Sequence, residues 1–254
     1  MPALIKGERL TRRYGKVLAV DDVSLHVDGG EIVGFLGPNG AGKTTTIKML
    51  VGLLKPDKGN ISICGLDLTR ESTMAKSRLG YVPDTPHLYE KLTTVEFLNF
   101  AAQVFRVAPD VAKKRIDDLI ELFDLGESAR KLISSLSHGT KQKVSLAATV
   151  LHRPDALLLD EPTGGLDPRA TRKIKDVILE LARGGRAVML STHILEIAES
   201  MCDRIYIIDK GRIIAEGDPE KLKQSVKTSS SLEELFIDLT GGSEYDEVLK
   251  YLAD

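Results

Sequence analysis

The segment GFLGPNGAGKTTTIKML at residues 34–50 constrains the fold of this chain more than any other feature. It joins the apolar run EIVGFLG to a stretch in which Ile47, Leu50, Val51 and Leu54 recur at the spacing of one helix face. The sequence therefore predicts a buried strand, a glycine-rich loop and a helix in direct succession. That order is typical of α/β proteins built on a parallel sheet.

The loop has a composition suited to binding phosphate groups. Residues 37–44, GPNGAGKT, match the pattern G-x-x-x-x-G-K-[ST] at every fixed position. Glycines let backbone N–H groups surround phosphate oxygens, and the helix N-terminus adds the positive end of its dipole. Lys43 would then meet the β- and γ-phosphates, and the Thr44 hydroxyl would ligate Mg²⁺. A glycine-rich turn with a chance lysine explains neither the complete pattern nor its place, so we predict a nucleoside triphosphate site.

A second candidate site is the acid pair in ALLLDEP. Four apolar residues end in Asp160, which a buried strand would deliver at its carboxyl end, and Glu161 follows directly. Successive strand residues point to opposite sides, so the two acids can have different roles. Asp160 would hold the metal, and Glu161 would orient the attacking water. An acid pair alone is often a solvated turn, but beside a phosphate loop the catalytic interpretation is favoured.

The rest of the chain predicts a sheet interrupted by helices. ALLLD and AVMLST are further apolar strand runs, each followed by a helical pattern, which indicates a parallel sheet covered by helices. Over about residues 93–152 we find helical patterns and no convincing strand, so this segment is predicted to be an inserted helical subdomain. Residues 226–254 contain a polar link and two more helical patterns, and we predict a C-terminal helical tail there.

Composition narrows the class of protein. The 35 Lys+Arg and 37 Asp+Glu leave a net charge of −2, which argues against a general nucleic-acid surface, and we expect no nucleic-acid partner. The two cysteines, Cys64 and Cys202, form no CxxC pair, which argues against a zinc module or a disulfide framework. The sequence also lacks a signal-peptide core and any run near the ~18 apolar residues of a membrane span. A cytoplasmic protein is expected.

The segment SSLSHGTKQKVSLA at residues 134–147 decides between classes of phosphate-loop protein. Together with the two sites above, it resembles the signature of the ATP-binding cassette ATPases, and the resemblance covers about residues 4–225. It implies an α/β fold of the P-loop NTPase type, with a mixed sheet core, an antiparallel β lobe and an inserted helical subdomain. Residues 1–225 would form the cassette.

In that family two cassettes pair head to tail, and the signature of one closes over ATP bound by the other. Ser137 and the backbone N–H of Gly139 would stand at a helix N-terminus, where a γ-phosphate is favoured. LSHGT alone would be interpreted as a helix cap. Its position before the acid pair favours the signature, and the resemblance implies a second cassette, in a homodimer, as a partner.

Three further residues match the family pattern. Tyr14 matches the aromatic residue that stacks on adenine, although a lone tyrosine is more often ordinary packing. Asp167 matches the inter-subunit loop, and Asp before Pro168 is also an ideal helix N-cap. His193 matches the switch histidine that reaches the γ-phosphate and holds Glu161, although histidine at a strand end is often only polar surface.

The resemblance thus implies three sets of site residues. Catalysis would depend on Lys43, Glu161 and His193, and Mg²⁺ would bind at Thr44 and Asp160. Nucleotide contacts are expected at Tyr14, Gly37, Pro38, Asn39, Gly40, Ala41, Gly42, Lys43, Thr44, Thr45, Ser137 and Gly139.

The chain departs from the family pattern in two places. Asp84 stands where glutamine is usual, in the loop that joins the body to the helical subdomain, and we assign it a role in coupling. His138 and Thr140 replace a glycine and a glutamine of the signature. These variants resemble exporter-type cassettes that serve separate membrane proteins, including those for drugs, lipids and polysaccharides.

Three classes of function follow. We favour the ATPase subunit of a transporter, which would dock on a separate transmembrane permease through residues 84–92 and lie on the inner face of the cell membrane, energising export. A cassette ATPase acting on DNA or the ribosome is the alternative, but the long coiled coil, zinc insert or second cassette of those types does not occur in the sequence. A P-loop kinase or GTPase is disfavoured because no N-K-x-D motif occurs and neither class explains LSHGT.

Overall fold

The structure, a computed structural model, describes residues 3–225 and 232–240. Within these residues the strands are β1 Ala3–Tyr14, β2 Val17–Asp28, β3 Ile32–Leu36, β4 Lys58–Ile63, β5 Leu66–Asp67, β6 Leu79–Val82, β7 Ala156–Asp160, β8 Ala187–Ser191, β9 Arg204–Asp209 and β10 Arg212–Gly217. The helices are α1 Lys43–Leu50, α2 Ser72–Ser77, α3 Thr94–Val104, α4 Pro109–Leu122, α5 His138–Val150, α6 Pro168–Arg183, α7 Leu195–Met201, α8 Pro219–Ser225 and α9 Leu232–Thr240.

The larger sheet has the strand order β10-β9-β3-β8-β7-β6. Its neighbouring strands are parallel except for β10, which pairs antiparallel with β9 at the edge. The adjacent strands β3, β8 and β7 are buried along their whole length, which explains why the sequence shows them as continuous apolar runs. Their carboxyl ends meet at one edge of the sheet, where ligands bind in open α/β folds.

The smaller sheet is antiparallel, with the order β2-β1-β4-β5. Register shifts interrupt the pairing of β1 with β2, and Arg9 and Asp22 adopt positive φ angles near them. Such bulges bend a strand and increase its twist. Apolar side chains of this sheet share one core with side chains of the larger sheet. This sheet is the antiparallel β lobe that the family resemblance implies.

Alternate residues of the central strands face two separate apolar cores. Leu158 of β7 and Met189 of β8 pack with the β lobe and with α1. Their chain neighbours Leu157 and Val188 pack on the opposite side, in a core shared with α3 to α7. This period of two follows from strand geometry, and it leaves no face of the central strands for solvent.

In chain order the helices α3, α4 and α5 follow β6 and precede β7, and α3 packs against both α4 and α5. A capping box begins α3, because Thr93 accepts from the Glu96 backbone and Glu96 accepts from the Thr93 backbone. These helices fall in the range predicted for the helical subdomain, so the predicted fold class is confirmed. The precise limits of the subdomain stay a prediction.

Helix α1 differs from the prediction. It ends at Leu50, earlier than the apolar spacing predicts, because Gly52 takes a left-handed conformation (φ 69°) just after it.

The tail is only partly described. Helix α9 contacts α7 and α8, and Leu232 N donates to Glu199 Oε1 at 3.2 Å. The predicted helix at 245–252 and the link at 226–231 lie outside the described residues, so the boundary at residue 225 stays a prediction. None of the helices in the described part of the chain is both long and apolar enough to cross a membrane.

Candidate nucleotide site

The glycine-rich loop connects β3 to α1, and its backbone requires glycine at particular positions. Gly40 and Gly42 have φ angles of 81° and 108°, in a region that residues with a Cβ avoid. A Cβ at Gly37 would lie 2.4 Å from Ile208 O, and one at Gly42 would lie 2.6 Å from Ala19 O. The fold therefore brings this loop close to neighbouring backbone, and five of its residues, Asn39, Gly40, Gly42, Lys43 and Thr44, line a cavity.

Lys43 begins α1 and folds back over the loop. Its side chain is nearly buried, and Nζ donates to Gly37 O at 2.6 Å and to Pro38 O at 3.1 Å. Burial lowers the pKa of Lys43, and the nearby charges of Glu161 and Asp160 oppose that shift. The amine is thus held as a donor at the centre of the loop, where phosphate oxygens would be its partners.

The acid pair lies at the carboxyl end of β7. Asp160 is buried and pairs in register with Ser191 at the end of β8, and Ser191 Oγ donates to Asp160 Oδ1. Glu161, the next residue, has a φ of 49°, which is uncommon for a residue other than glycine. Its side chain is mostly buried, and Glu161 Oε2 lies 3.0 Å from His193 Nδ1. The pairing of Glu161 with His193 was predicted from the family resemblance.

A cavity of about 240 Å³, which we call the phosphate cavity, brings these groups together. It is lined by Ala19, Asn39, Gly40, Gly42, Lys43, Thr44, Thr45, Asp84, Asp160 and Glu161. Hydroxyl and carboxylate oxygens are the ligands that Mg²⁺ prefers, so Thr44 and Asp160 fit the donor set of that ion. Gly37 and Pro38 contribute carbonyls to Lys43 instead of lining this cavity, and Ala41 is buried beneath the loop.

Besides Gly37, Pro38 and Ala41, the predicted residues that do not line the phosphate cavity are Tyr14, Ser137, Gly139, Asp167 and His193. Tyr14 is 48% exposed at the end of β1, and the Arg12 guanidinium carbon lies 5.2 Å from its ring centroid. Ser137 caps α5, accepting from Thr140 N at 3.3 Å. Asp167 caps α6, accepting from Ala170 N at 2.9 Å, and this bond lowers the pKa of its carboxyl group. The capping roles are present, whereas the contacts with a second cassette remain predictions.

The signature segment and the loop before α6 lie against each other. A Cβ at Gly139 would approach Leu166 Cδ2 to 3.1 Å, and one at Gly165 would lie 3.4 Å from His138 Cδ2. Gly165 has a φ of 68°, so it also has a backbone reason to be glycine. The amino-terminal end of α5 and the segment around Asp167 therefore form one continuous surface.

Two site residues were not predicted from the sequence. Ala19 lines the phosphate cavity through the β lobe, and Ser191 binds the acid pair. Ser191 precedes the segment that supplies His193, but its contact with Asp160 depends on which residues of β7 and β8 face each other. Only the register of the sheet reveals it.

Comparisons with known proteins agree with this geometry. The model of the family described as ABC transporter matches residues 20–164. The chain is 41% identical over 215 residues to an uncharacterized ABC transporter ATP-binding protein, YhcH, of Bacillus subtilis, covering 84% of this chain and 70% of the relative. The chain belongs to the ABC transporter ATPases.

Two other relatives of this ABC family are the Nod factor export ATP-binding protein I of Burkholderia pseudomallei, 40% identical, and the daunorubicin resistance ATP-binding protein DrrA3 of Streptomyces coeruleorubidus, 38% identical. The alignments cover 87% and 94% of this chain, and 72% and 71% of the relatives.

Solved structures confirm the ABC cassette fold. An ATP-binding subunit of an ABC transporter superposes with a TM-score of 0.88 at 35% identity, covering 93% of this chain and 99% of that one. A dimeric cassette in a post-hydrolysis state, bound to ADP and Pi, gives a TM-score of 0.78 at 25% identity, with coverage of 84% and 98%. This ABC protein is therefore an ATPase that binds ATP, as its sequence predicts.

Proposed function

We propose that this ATPase energises a separate transmembrane partner, in export, and that two copies close head to tail over ATP. The observation that carries the proposal is that the residues predicted to contact ATP lie in two separate places. The phosphate loop and both acids share one cavity, while Ser137 lies outside it with an exposed side chain. A second copy would supply the missing anion-binding helix end, and two of the similar solved structures are dimeric cassettes.

Within one copy, each side chain of the phosphate cavity has a distinct task. Lys43 would exchange its loop carbonyls for phosphate oxygens, and Thr44 and Asp160 would hold Mg²⁺. When bound, that ion neutralises charge on the phosphate groups. Glu161 would accept a hydrogen bond from the attacking water, and His193 would fix Glu161 through the 3.0 Å contact. The chemistry is positioning and charge stabilisation, the usual basis of phosphoryl transfer.

Head-to-tail pairing would make the nucleotide part of the interface. Ser137 and Gly139 stand at the start of the thirteen-residue α5. The backbone N–H groups at a helix start and its dipole favour an anion such as a γ-phosphate. Loss of the γ-phosphate would remove the group that both copies bind, so hydrolysis would reopen the dimer. This opening and closing is the motion that a partner could use.

An apolar groove between the body and the helical subdomain supports docking of a transmembrane partner. It encloses about 580 Å³, and its lining includes Leu53, Tyr89, Phe100, Val104 and Phe105, all of them more than a third exposed. Tyr89 belongs to the segment 84–92 that was predicted to contact the permease. Exposed apolar surface of this kind marks an interaction site.

Among the described residues that line the groove, Lys76 is the single lysine, and no arginine or carboxylate accompanies it; Lys76 Nζ donates to Gly52 O at 3.0 Å. His152 lies in the groove and stacks on Phe105, with ring centroids 3.6 Å apart. Burial lowers the pKa of His152 to about 4, so the imidazole is neutral at physiological pH. An apolar cytosolic segment of a permease fits this surface better than nucleic acid, which requires basic side chains. On this proposal the chain lies on the inner face of the cell membrane.

Export is supported by the relatives and by the signature. The printed names of two relatives refer to Nod factor export and to daunorubicin resistance. His138 and Thr140 also give the signature segment the form that resembles exporter-type cassettes. The proposal therefore assigns the transport direction as outward.

A pull-down from detergent-solubilised membranes of the producing organism tests the partner. The tagged chain should retain a membrane protein, identified by mass spectrometry, and Phe100→Asp should lose it. Val111→Asp is the matched control, because Val111 is a similarly exposed apolar residue that does not line the groove. Recovery of ribosomes or DNA in place of a membrane protein would favour the alternative function.

A further inference from the structure

Beyond the proposed roles of the acid pair, we infer that Ser191 is a positioning residue of the ATPase reaction. Its hydroxyl group links the side chain of Asp160 to the backbone of Glu161, and so fixes the metal-binding and the water-orienting carboxylates relative to each other. The inference rests on the proposed function of those two acids. It assigns a task to a residue that touches neither nucleotide nor metal in the proposal.

The register of the sheet creates this contact. β7 and β8 run parallel, and Asp160 and Ser191 are paired at their carboxyl ends. Ser191 Oγ donates to Asp160 Oδ1 and accepts from Glu161 N at 3.1 Å. Glu161 N also lies 3.2 Å from Ser191 O, so one residue of β8 receives the amide through two oxygens.

The donor and acceptor directions are fixed by chemistry. A hydroxyl group has one proton and two lone pairs, whereas a carboxylate only accepts and an amide N–H only donates. The proton of Ser191 therefore goes to Asp160, and a lone pair takes the Glu161 amide. The bond occupies one of the acceptor sites of Oδ1 and leaves Oδ2 available to a cation.

Burial makes the linkage effective. Ser191 is 0% exposed and Asp160 is 2% exposed, so water does not compete for these bonds. A hydrogen bond to a charged group is stronger than one between neutral groups, and more so in a low-dielectric interior. The hydroxyl group thus restricts Asp160 to one orientation beside the phosphate cavity.

The second bond supports an unusual backbone conformation. Glu161 has a φ of 49°, in the left-handed region, which is costly for a residue with a Cβ and persists only when its surroundings hold it. The amide bond to Ser191 is part of that support. The turn places the Glu161 carboxylate in the phosphate cavity, where it also meets His193.

A purely structural role for Ser191 makes different predictions from a positioning role. If the hydroxyl group only satisfies a buried carboxylate, its loss lowers the melting temperature and leaves the reaction of the folded protein unchanged. If it positions the acids, its loss lowers kcat and weakens the response to Mg²⁺, with little change in the KM for ATP. Replacing residues that orient metal ligands typically costs about 10- to 100-fold in metal affinity or activity.

The experiment compares Ser191→Ala, Ser191→Thr and the wild type. We expect Ser191→Ala to lower kcat by about 10- to 100-fold and to raise the Mg²⁺ concentration for half-maximal binding of a fluorescent ATP analogue by about 10-fold. Ser191→Thr keeps the hydroxyl group and should restore both values. Equal kcat and equal Mg²⁺ dependence in a folded Ser191→Ala protein would overturn the inference.

Ser200→Ala is the matched control. Its hydroxyl group also donates to an oxygen, Ile197 O at 3.1 Å, and accepts from an amine, Lys175 Nζ at 2.7 Å, but it lies on α7 outside the phosphate cavity. This variant should leave kcat and Mg²⁺ dependence unchanged. A drop equal to that of Ser191→Ala would show that loss of any such serine has the same effect, and the inference would be wrong.

Two further variants keep the test decisive. Should Ser191→Ala fail to fold, Ser191→Cys is the substitute, because it nearly preserves the side-chain size but has a weaker donor. It should give a smaller loss of kcat in the same direction. Wild-type kinetics of Ser191→Cys would contradict the inference.

In a Glu161→Gln background, adding Ser191→Ala should lower kcat little further, because the effects of residues that act as a unit are not additive. Full additivity would also contradict it. If Glu161→Gln alone leaves hydrolysis unchanged, the proposed function of the acid pair fails, which is a separate result.

Discussion

The phosphate cavity and the amino-terminal end of α5 are both predicted to contact ATP, yet their polar groups are satisfied in opposite ways. In the cavity, Asp160 and Glu161 are held by Ser191 and His193, about thirty positions away, at the end of β8 and just after it. At α5, Ser137 bonds to Thr140, three positions away, and remains exposed. The cavity is organised by tertiary structure, whereas the helix end is complete by itself and can meet another surface. Variants in each region should therefore fail at different steps.

The largest effect is expected at the centre of the cavity. Lys43→Ala removes the only lysine among the described residues that line it, so binding of Mg-ATP should be strongly weakened or turnover abolished. Circular dichroism should show an intact fold, since the side-chain bonds of Lys43 to the described residues go to the loop carbonyls of Gly37 and Pro38. Lys48→Ala, an exposed lysine on the same helix, is the control for charge. Unchanged ATPase activity of folded Lys43→Ala would refute the site.

Glu161→Gln should separate binding from hydrolysis. The amide keeps the shape of the side chain but is no anionic acceptor for the water, and loss of such a preorganised group costs about 10² to 10³ in rate. The ATP-loaded form should then accumulate as a dimer, detected by size exclusion with light scattering at high protein concentration. With ADP the same protein should be monomeric.

The exposed Glu180 on α6 provides the control for this change. Glu180→Gln removes a carboxylate whose ion pair within the described residues is with Arg183, at 3.7 Å and outside the cavity, and this variant should hydrolyse ATP normally. A Glu161→Gln protein with wild-type turnover would contradict the catalytic role. One that is equally dimeric with ADP would contradict the proposed switch.

Ser137→Ala tests the other region and should have a smaller effect. A hydrogen bond to a charged group contributes about 1.5–3 kcal/mol, so the ATP-dependent dimer should weaken by about 10- to 100-fold while ATP affinity of the monomer is kept. Thr93→Ala removes a comparable cap from α3 and should lower stability without changing dimerisation. An equal loss of dimer in both variants would reduce Ser137 to a helix cap.

The same contrast explains what the sequence could and could not predict. The glycine pattern and the apolar run ending in Asp160 are local signals, so the loop, β3 and β7 were predicted correctly. Ser191 was missed because its role arises from the pairing of two strands separated by α6. The early end of α1 was missed because apolar spacing continues past Gly52, where the backbone conformation ends the helix.

The smallest effect is expected at Asp84, which lies in the phosphate cavity and begins the segment that leads to the apolar groove. Three carboxylates, those of Asp84, Asp160 and Glu161, share the described lining with Lys43. Asp84→Asn keeps the size and an acceptor oxygen but removes one negative charge. Basal Mg-ATP affinity should therefore change little, and ATP should bind more tightly in EDTA, where no cation offsets the carboxylates.

If Asp84 also transmits the state of the cavity to the groove, its charge should matter most when the partner is present. Coupling between two sites typically changes an affinity by 5- to 150-fold. Because Asp84 is a single side chain, we expect an effect at the low end of that range: Asp84→Asn should reduce the stimulation of ATPase activity by the partner about fivefold. The measurement compares ATPase rates of the chain alone and with its membrane partner in lipid nanodiscs, for wild type and for Asp84→Asn. Asp110→Asn removes an exposed carboxylate from the first turn of α4 and should leave the stimulation unchanged. Identical stimulation in wild type and Asp84→Asn would confine Asp84 to the electrostatics of the cavity and remove it from the coupling path.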